Sequence, residues 1–281
     1  MRKRTRTPSP DRAADEPELT FEEGTPYDSY VGATTLATMQ TMLTDEPAEM
    51  PFLVVSQIME LYFGLICFEW RRALVALHED DLDTALVALE RSCRSIDGLN
   101  AAWLSLSWMT PRDFNSFRGQ LGEASGFQSA QYRRMEFLLG NKSRQMLAAH
   151  KGNPELHRDL EAALESPSLY DEVLGWLARR GHPIPADILD RALDAPYEPD
   201  DDVEAVWVAI YRDEPRPEIV LAEALTDVAQ RVSEWKFWHL TAVRRTMGSK
   251  TGTGGSSGVA WLERSLSKLP FPELWTSRTE V

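Results

Sequence analysis

The sequence is poor in cysteine and short of basic residues. Cys67 and Cys93 are its two cysteines in 281 residues, too few for the disulfide framework of a small secreted domain. Each stands in an apolar helical pattern, so we expect two reduced thiols in the core of a cytoplasmic protein. The 44 acidic and 30 basic side chains give a formal net charge of −14, whereas nucleic-acid binding normally needs a basic surface. A small molecule or a protein is the expected partner.

Long apolar runs are also not expected, because no uninterrupted one approaches the eighteen or more residues of a membrane span. The basic start, residues 1–10, leads into polar residues rather than the apolar region of a signal peptide. We therefore expect no membrane segment and no export. Only 16 glycines and 17 prolines interrupt a chain that is 43% hydrophobic, which is enough apolar material for a substantial core.

Two regions differ in composition. Residues 1–20 combine charged residues and proline with few large apolar side chains, so burial cannot offset the entropy of ordering them. We expect a disordered tail there, followed by a single helical domain over 21–281.

Apolar residues recur at spacings of three and four through most of the domain. The pattern predicts a long helix from Pro51 to Leu77 and a second that Asp83 opens. Further helices are predicted at 128–148, 155–164, 169–180, 203–211 and 218–247, and an amphipathic helix after Val259. The short segment 206–211 could pass for a strand, but it stands alone. An all-α helical bundle is the predicted fold class.

One histidine lies on an apolar helix face. Val232, Trp235, His239 and Ala242 follow one another at helical spacing, whereas the other four histidines lie in polar or turn-like surroundings. The ordinary interpretation is a core histidine with a hydrogen-bond partner. The alternative is an axial ligand of a haem, with Trp235 among its neighbours. A zinc site is the weaker rival, since no second His or Cys stands nearby at ligand spacing.

Two further stretches are candidates for binding. The loop from Gly252 to Gly258 lacks the Gly-Lys-Ser/Thr of a P-loop and the third glycine of a dinucleotide fingerprint. It is either a linker or a place where backbone N–H groups approach a small anion. Arg118, beside Phe117 and near Leu121, is either a solvated arginine or a guanidinium that binds a carboxylate.

Several long blocks, in order and at the expected spacing, resemble the tryptophan 2,3-dioxygenase family. They cover nearly the whole chain after the tail. The blocks are YDSY (27–30), MPFLVVSQIMEL (50–61), MTPRDFNSFR (109–118), SGFQSAQYRRMEFLLGN (125–141), WKFWHLTAVRRTMG (235–248), KTGTGGSSGV (250–259) and FPELW (271–275).

The resemblance implies an all-α haem b enzyme, usually a homotetramer, that uses O₂ to oxidise the indole ring of tryptophan. It places His239 at the iron and Trp235 beside the haem. Phe52 would line the indole pocket, Phe114 would be a further substrate-binding residue, and Arg118 would hold the substrate carboxylate. The substrate-binding assignments are completed by Thr253 and Gly254 at the amino-acid end and by Tyr27 and Tyr30 from a neighbouring subunit.

Two residues depart from the family pattern. Ser56 stands where the family usually has a distal histidine, and Phe114 where many relatives have a tyrosine. Ser56, the one position we assign to catalysis, lies one turn after Phe52 and cannot act as an imidazole base. In lacking the distal histidine, the chain is similar to the 2-oxindole-forming, MarE-like branch of the superfamily.

The resemblance leaves three interpretations. The preferred expectation is C2 monooxygenation of L-tryptophan or β-methyl-L-tryptophan to a 2-oxindole in secondary metabolism, with an external reductant. The alternative is cleavage of the indole C2–C3 bond to N-formylkynurenine, which retains both oxygen atoms. A non-catalytic haem or tryptophan sensor is the alternative of another class.

Overall fold

The computed structural model describes residues 17, 19–22, 24–213, 216–250, 252 and 258–281. The chain divides into two compact units, residues 1–41 and 42–281. This boundary lies later than the one predicted after residue 20, and most of the predicted tail lies outside the described residues. A single domain over 21–281 stays a prediction.

The first unit contains two short helices, α1 (Pro26–Val31) and α2 (Ala33–Ala37). The Thr25 side chain caps α1 by accepting a hydrogen bond from the Asp28 N–H at 3.1 Å. Gly32 joins the helices with a φ of 70°, a left-handed conformation that glycine adopts without steric cost.

The second unit is helical throughout its described part, which contains no strand and confirms the all-α prediction. Its two longest helices are α3 (Glu49–His78) and α11 (Pro217–Met247), with α4 (Leu82–Ala102) packed against both. The other helices are α5 (Pro111–Arg118), α6 (Ala130–Leu138), α7 (Pro154–Glu165), α8 (Leu169–Arg179), α9 (Ala186–Leu189), α10 (Asp201–Arg212), α12 (Gly258–Leu266) and α13 (Glu273–Thr276).

The core confirms the predicted inward faces. Val55, Met59 and Ile66 of α3 pack into one apolar cluster with residues of α4, α8 and α11. Both cysteines are free and buried, and burial raises the pKa of the thiols to about 12 for Cys67 and about 11 for Cys93. At neutral pH they are therefore inert thiols, as predicted.

The segment 206–211 lies inside α10, which confirms the helix predicted at 203–211. Two other local predictions were wrong. The single helix predicted over 128–148 is instead α6 followed by a 3-10 helix, Arg144–His150. Gly140 separates them with a φ of 83°, which an α-helix cannot contain. The helix α5 was missed because it is short.

The expectation of no long apolar run was also wrong. By length and composition α3 could cross a membrane, since it holds an 18-residue stretch with a mean hydropathy of 1.7. Besides its buried face, α3 carries a second row of exposed apolar side chains, which leaves few polar positions in this stretch. We call this row the α3 stripe; it consists of Ile58, Leu61, Leu65, Phe68 and Val75.

Candidate active site

The inward face of α11 places His239 next to two tryptophans. Val228, Val232 and Trp235 are buried on that face, as the spacing predicts. The His239 ring stacks on Trp103 with centroids 5.1 Å apart and an interplanar angle of 22°. Its centroid lies 5.3 Å from that of Trp235. The histidine is thus held between rings and open on its remaining side.

The protonation state of His239 suits a metal ligand. Burial among apolar neighbours lowers the pKa of its imidazole to about 4, so the ring is neutral at pH 7. No other described residue makes a hydrogen bond or an ion pair with it, which argues against the ordinary core histidine. A neutral imidazole with a free nitrogen is the axial ligand that a haem iron takes.

The donor set argues against the zinc alternative. Among the described residues, no group of three or more His, Cys, Asp or Glu side chains could hold a metal ion. A structural or catalytic zinc needs at least three protein ligands, whereas a haem iron, held by its macrocycle, needs one axial side chain. His239 with apolar walls therefore fits a haem.

The face of α3 that looks towards His239 carries Phe52, Ser56 and Glu60 at intervals of one turn. All three line a cavity of about 720 Å³ together with His239. The Ser56 hydroxyl donates a hydrogen bond to the Phe52 carbonyl oxygen at 2.8 Å. Its proton is therefore engaged, and its oxygen can still accept a bond from a ligand in the cavity.

A smaller cavity of about 180 Å³ adjoins the first one. Phe52, Phe114 and His239 line both. The larger volume lies in the range typical of ligand and cofactor sites, about 300–1,000 Å³. Other walls of the large cavity come from Leu121, from residues 124–129, from Met146 and Met247, and from Trp261 and Leu262 of α12.

Three phenylalanines form the apolar end of this site. The Phe52 ring lies 5.8 Å from that of Phe114 and 5.4 Å from that of Phe117, and Phe114 and Phe117 meet edge to face. Such contacts fix the ring positions beyond simple burial. Phe52 and Phe114 thus both line the His239 cavities, and their contact with a substrate stays a prediction. Phe117, which packs against both, is fully buried.

Arg118 ends helix α5 on a different surface. A capping box between Thr110 and Asp113 starts this helix, with the Thr110 N–H donating to the Asp113 carboxylate at 2.9 Å. Arg118 lines an open depression with Asn115, Gly119 and Gly122 and is absent from the lining of both His239 cavities. Its assignment to the substrate carboxylate stays a prediction.

Four further residues were assigned to the substrate site. Tyr27 and Tyr30 lie exposed on α1, in the first unit. Thr253 and Gly254 lie outside the described residues, although Gly252 and Gly258, which flank them, line the large cavity. The contribution of these four residues to the site stays a prediction.

Two residues of the site were missed by sequence reasoning. Trp103 stacks on His239 from 136 positions earlier in the chain, and no local pattern signals such a contact. Glu60 follows Ser56 by four residues, so helical spacing could have placed it on the same face. Its carboxylate adds an acidic group to the edge of an otherwise mostly apolar cavity.

Comparison with known proteins covers almost the whole chain. The family model of tryptophan 2,3-dioxygenase matches residues 12–210 and 204–281. The tryptophan 2,3-dioxygenases of Burkholderia pseudomallei strain 668, Burkholderia orbicola and Burkholderia multivorans are each 42% identical to it over 267 residues. The aligned region covers 94% of this chain and 86–87% of each relative.

The chain belongs to the tryptophan 2,3-dioxygenase family.

Membership of this family confirms the expected class of enzyme, a haem-dependent tryptophan oxygenase that uses O₂. It also agrees with the fit of His239 to a haem iron. The relatives give no support to the 2-oxindole branch, because those reported above are all named as 2,3-dioxygenases. Ser56 and Phe114 therefore belong to a chain that the family model matches over residues 12–281.

Proposed function

We propose that this enzyme is a tryptophan 2,3-dioxygenase, which cleaves the indole C2–C3 bond of L-tryptophan to give N-formylkynurenine. The observation that carries the proposal is the neutral His239 opening on a large cavity that Phe52 and Ser56 also line. The reaction is the one for which the relatives are named.

His239 would hold the haem iron, and Trp103 and Trp235 would fix the orientation of its ring. When bound, the haem would supply the binding and activation of O₂. The imidazole can ligate because burial keeps it unprotonated at neutral pH. Apolar and aromatic walls exclude water, which strengthens the polar contacts that remain.

The indole would lie against Phe52 and Phe114, with its N–H directed at Ser56. Because the Ser56 proton is engaged by the Phe52 carbonyl, the hydroxyl oxygen meets the indole N–H as an acceptor. It can orient the ring without removing a proton, and orientation alone can supply much of the rate. Arg118, Thr253 and Gly254 are proposed to bind the amino-acid end, with Tyr27 and Tyr30 contributed by a neighbouring subunit.

Ring cleavage needs no further redox partner, since both atoms of O₂ enter the product. The 2-oxindole outcome would place one atom in the product and reduce the other to water with two electrons from an external reductant. Ser56 is the observation that favours this second candidate, because it leaves the site without an imidazole next to the indole.

Product mass separates these outcomes. We expect incubation of the haem enzyme with L-tryptophan and ¹⁸O₂, without a reductant, to give a product that has gained two labelled oxygen atoms. A gain of one labelled atom that depends on added reductant, with either L-tryptophan or β-methyltryptophan as substrate, would contradict the proposal and favour the 2-oxindole. Absence of turnover by haem-loaded protein under both conditions would favour the sensor.

We further propose that the enzyme works in the cytoplasm as a homotetramer, with no membrane and no nucleic acid as partner. Support comes from the two buried thiols, from the acidic charge and from the tetramers usual in the family. The exposed α3 stripe supplies an apolar surface that subunit contacts would cover.

A further inference from the structure

A second cavity lies along α11, one to two turns before His239. It has a volume of about 320 Å³ and shares no lining residue with either His239 cavity. Val232 and Lys236 of α11 form one wall, α6 a second, and the segment 267–276 closes it. Nothing in the proposed reaction uses this space.

Its floor contains a buried amine without an acidic partner. The Lys236 Nζ donates to the carbonyl oxygens of Ser265 at 3.0 Å and Lys268 at 2.9 Å. Among the described residues it has no ion pair, although the side chain is buried. Desolvation, the main cause, lowers the pKa of Lys236 to about 8; the nearby Glu136 carboxylate opposes this shift, and the Lys268 charge adds to it. A buried charge in this state is costly until an anion approaches.

The second lysine stands at the mouth of the cavity. Lys268 is exposed, and its Nζ lies 3.3 Å from the Asn141 Oδ1. It makes no ion pair within the described part of the chain. Two ammonium groups that repel each other therefore share one end of the cavity.

Two carboxylates line the cavity. Glu136 is buried, pairs with Arg133 and accepts a bond from the Asn141 side chain at 2.9 Å. Glu198 is exposed to solvent. Glu273 lies behind the lining residues Tyr170 and Tyr197 and accepts hydrogen bonds from their hydroxyls at 2.8 and 2.7 Å. Among the described residues, none of these carboxylates forms an ion pair with Lys236 or Lys268.

The rest of the lining is apolar and aromatic. Phe271 and Trp275 contribute rings, and Leu269 and Pro270 contribute aliphatic surface. Phe271 is buried with a φ of 53°, a conformation that a non-glycine residue seldom adopts. Such strain persists where the surroundings enforce it, and often at binding sites.

We propose that this cavity binds a small organic carboxylate with an aromatic or branched apolar body. The carboxylate lies between Lys236 and Lys268, and the apolar body contacts Phe271 and Trp275. The anion neutralises the two ammonium groups, and the rings exclude water from the pair.

Phenylacetate is the probe, with the neutral phenylacetamide as its matched comparison. Because the proposed substrate site also recognises aromatic carboxylates, binding is measured on the haem-loaded Arg118→Leu variant as well as on the unmodified enzyme. Calorimetry should give the same phenylacetate affinity for the unmodified enzyme and for Arg118→Leu. Phenylacetamide should bind at least about tenfold more weakly than phenylacetate.

Methionine methyl signals report which cavity is occupied. Met135 lines this cavity, whereas Met146 and Met247 line the space next to His239. In enzyme labelled with ¹³C at the methionine methyls and held in its diamagnetic carbon-monoxide form, phenylacetate should shift the Met135 signal and leave the other two in place.

Lys268→Gln is the main variant, because Lys236→Met would also remove two bonds to the end of α12. We expect Lys268→Gln to weaken phenylacetate binding about tenfold, whereas Lys151→Gln, the same change at an exposed lysine elsewhere, should have no effect. Three outcomes would each overturn the proposal. They are equal binding of phenylacetate and phenylacetamide, shifts of the Met146 and Met247 signals that Arg118→Leu abolishes, and no binding of phenylacetate up to about 10 mM.

Discussion

Ser56 acts, in this interpretation, as an acceptor whose proton is already engaged by the Phe52 carbonyl. Ser56→Ala should then weaken L-tryptophan binding by about 1 kcal/mol, the usual net value of a hydrogen bond. Binding of 1-methyltryptophan, which has no indole N–H, should not change. Equal losses for both compounds in equilibrium titrations would show that the hydroxyl does not contact the indole nitrogen.

His239 carries the haem assignment. We expect His239→Ala to abolish or strongly alter the Soret band of reconstituted enzyme, because the iron loses its protein ligand. His157→Ala, which changes a histidine outside both cavities, should reconstitute normally. An unchanged Soret band in His239→Ala would contradict the assignment.

The pKa of His239 also predicts a pH dependence of stability. It is about 4 in the folded protein and 6.5 ordinarily, so the unfolded chain binds the proton more readily. The stabilising effect of the neutral ring is therefore complete above pH 6.5 and lost as the pH falls towards 4. Between pH 6.5 and pH 4, the free energy of unfolding of the haem-free protein, measured in urea, should fall by up to about 3 kcal/mol more than that of haem-free His239→Gln. An equal fall for both proteins would refute this prediction.

Arg118 tests the substrate assignment that the structure leaves open. Arg118→Leu should weaken L-tryptophan binding by about 2–5 kcal/mol, as expected when a charge-assisted contact is truncated. Arg112→Leu changes an exposed arginine on the same helix and should bind normally. If the two variants bind L-tryptophan with the same affinity, another residue contacts the substrate carboxylate.

At the scale of elements, periodicity was a good guide to long helices and a poor one to their interruptions. The stripe containing Val232, Trp235 and His239 lies inward as predicted because side-chain burial dominates a long amphipathic helix. The break at Gly140 was missed because its flanking residues keep helical spacing. Trp103 and the depression that holds Arg118 could not be predicted, since tertiary packing rather than local pattern brings distant segments together.

The break after α6 depends on the backbone of Gly140. Gly140→Ala should destabilise the protein by about 1–2 kcal/mol, because its φ of 83° is unfavourable for alanine, while a new Cβ would lie an ordinary 3.5 Å from Tyr197. Gly152→Ala, at a turn without positive φ and with open space, is the control. Thermal unfolding that ranks the two variants equally would contradict this account.

At the scale of the whole molecule, the α3 stripe is an exposed apolar surface that a subunit contact would bury. Its members recur at intervals of three, four and seven residues along one face of a 30-residue helix, the spacing of a helix-packing seam. Leu61→Glu combined with Leu65→Glu should reduce the assembly to smaller species in light-scattering chromatography. Val87→Glu, at an exposed apolar position on α4, should not. An unchanged mass for the double variant would assign the subunit contacts to another surface.

The reactivity of the two buried thiols measures how often the helices around them open. Cys67 lies on α3 and Cys93 on α4, and their raised pKa values keep them unreactive while these helices stay packed. The Cys67 thiol lies 3.8 Å from the Gln131 carbonyl oxygen of α6. A thiol reagent can therefore modify the two cysteines only when the packing of α3 and α4 against their neighbours opens transiently. The modification rate, measured without introducing any label, would report this local opening of the helix that carries Ser56.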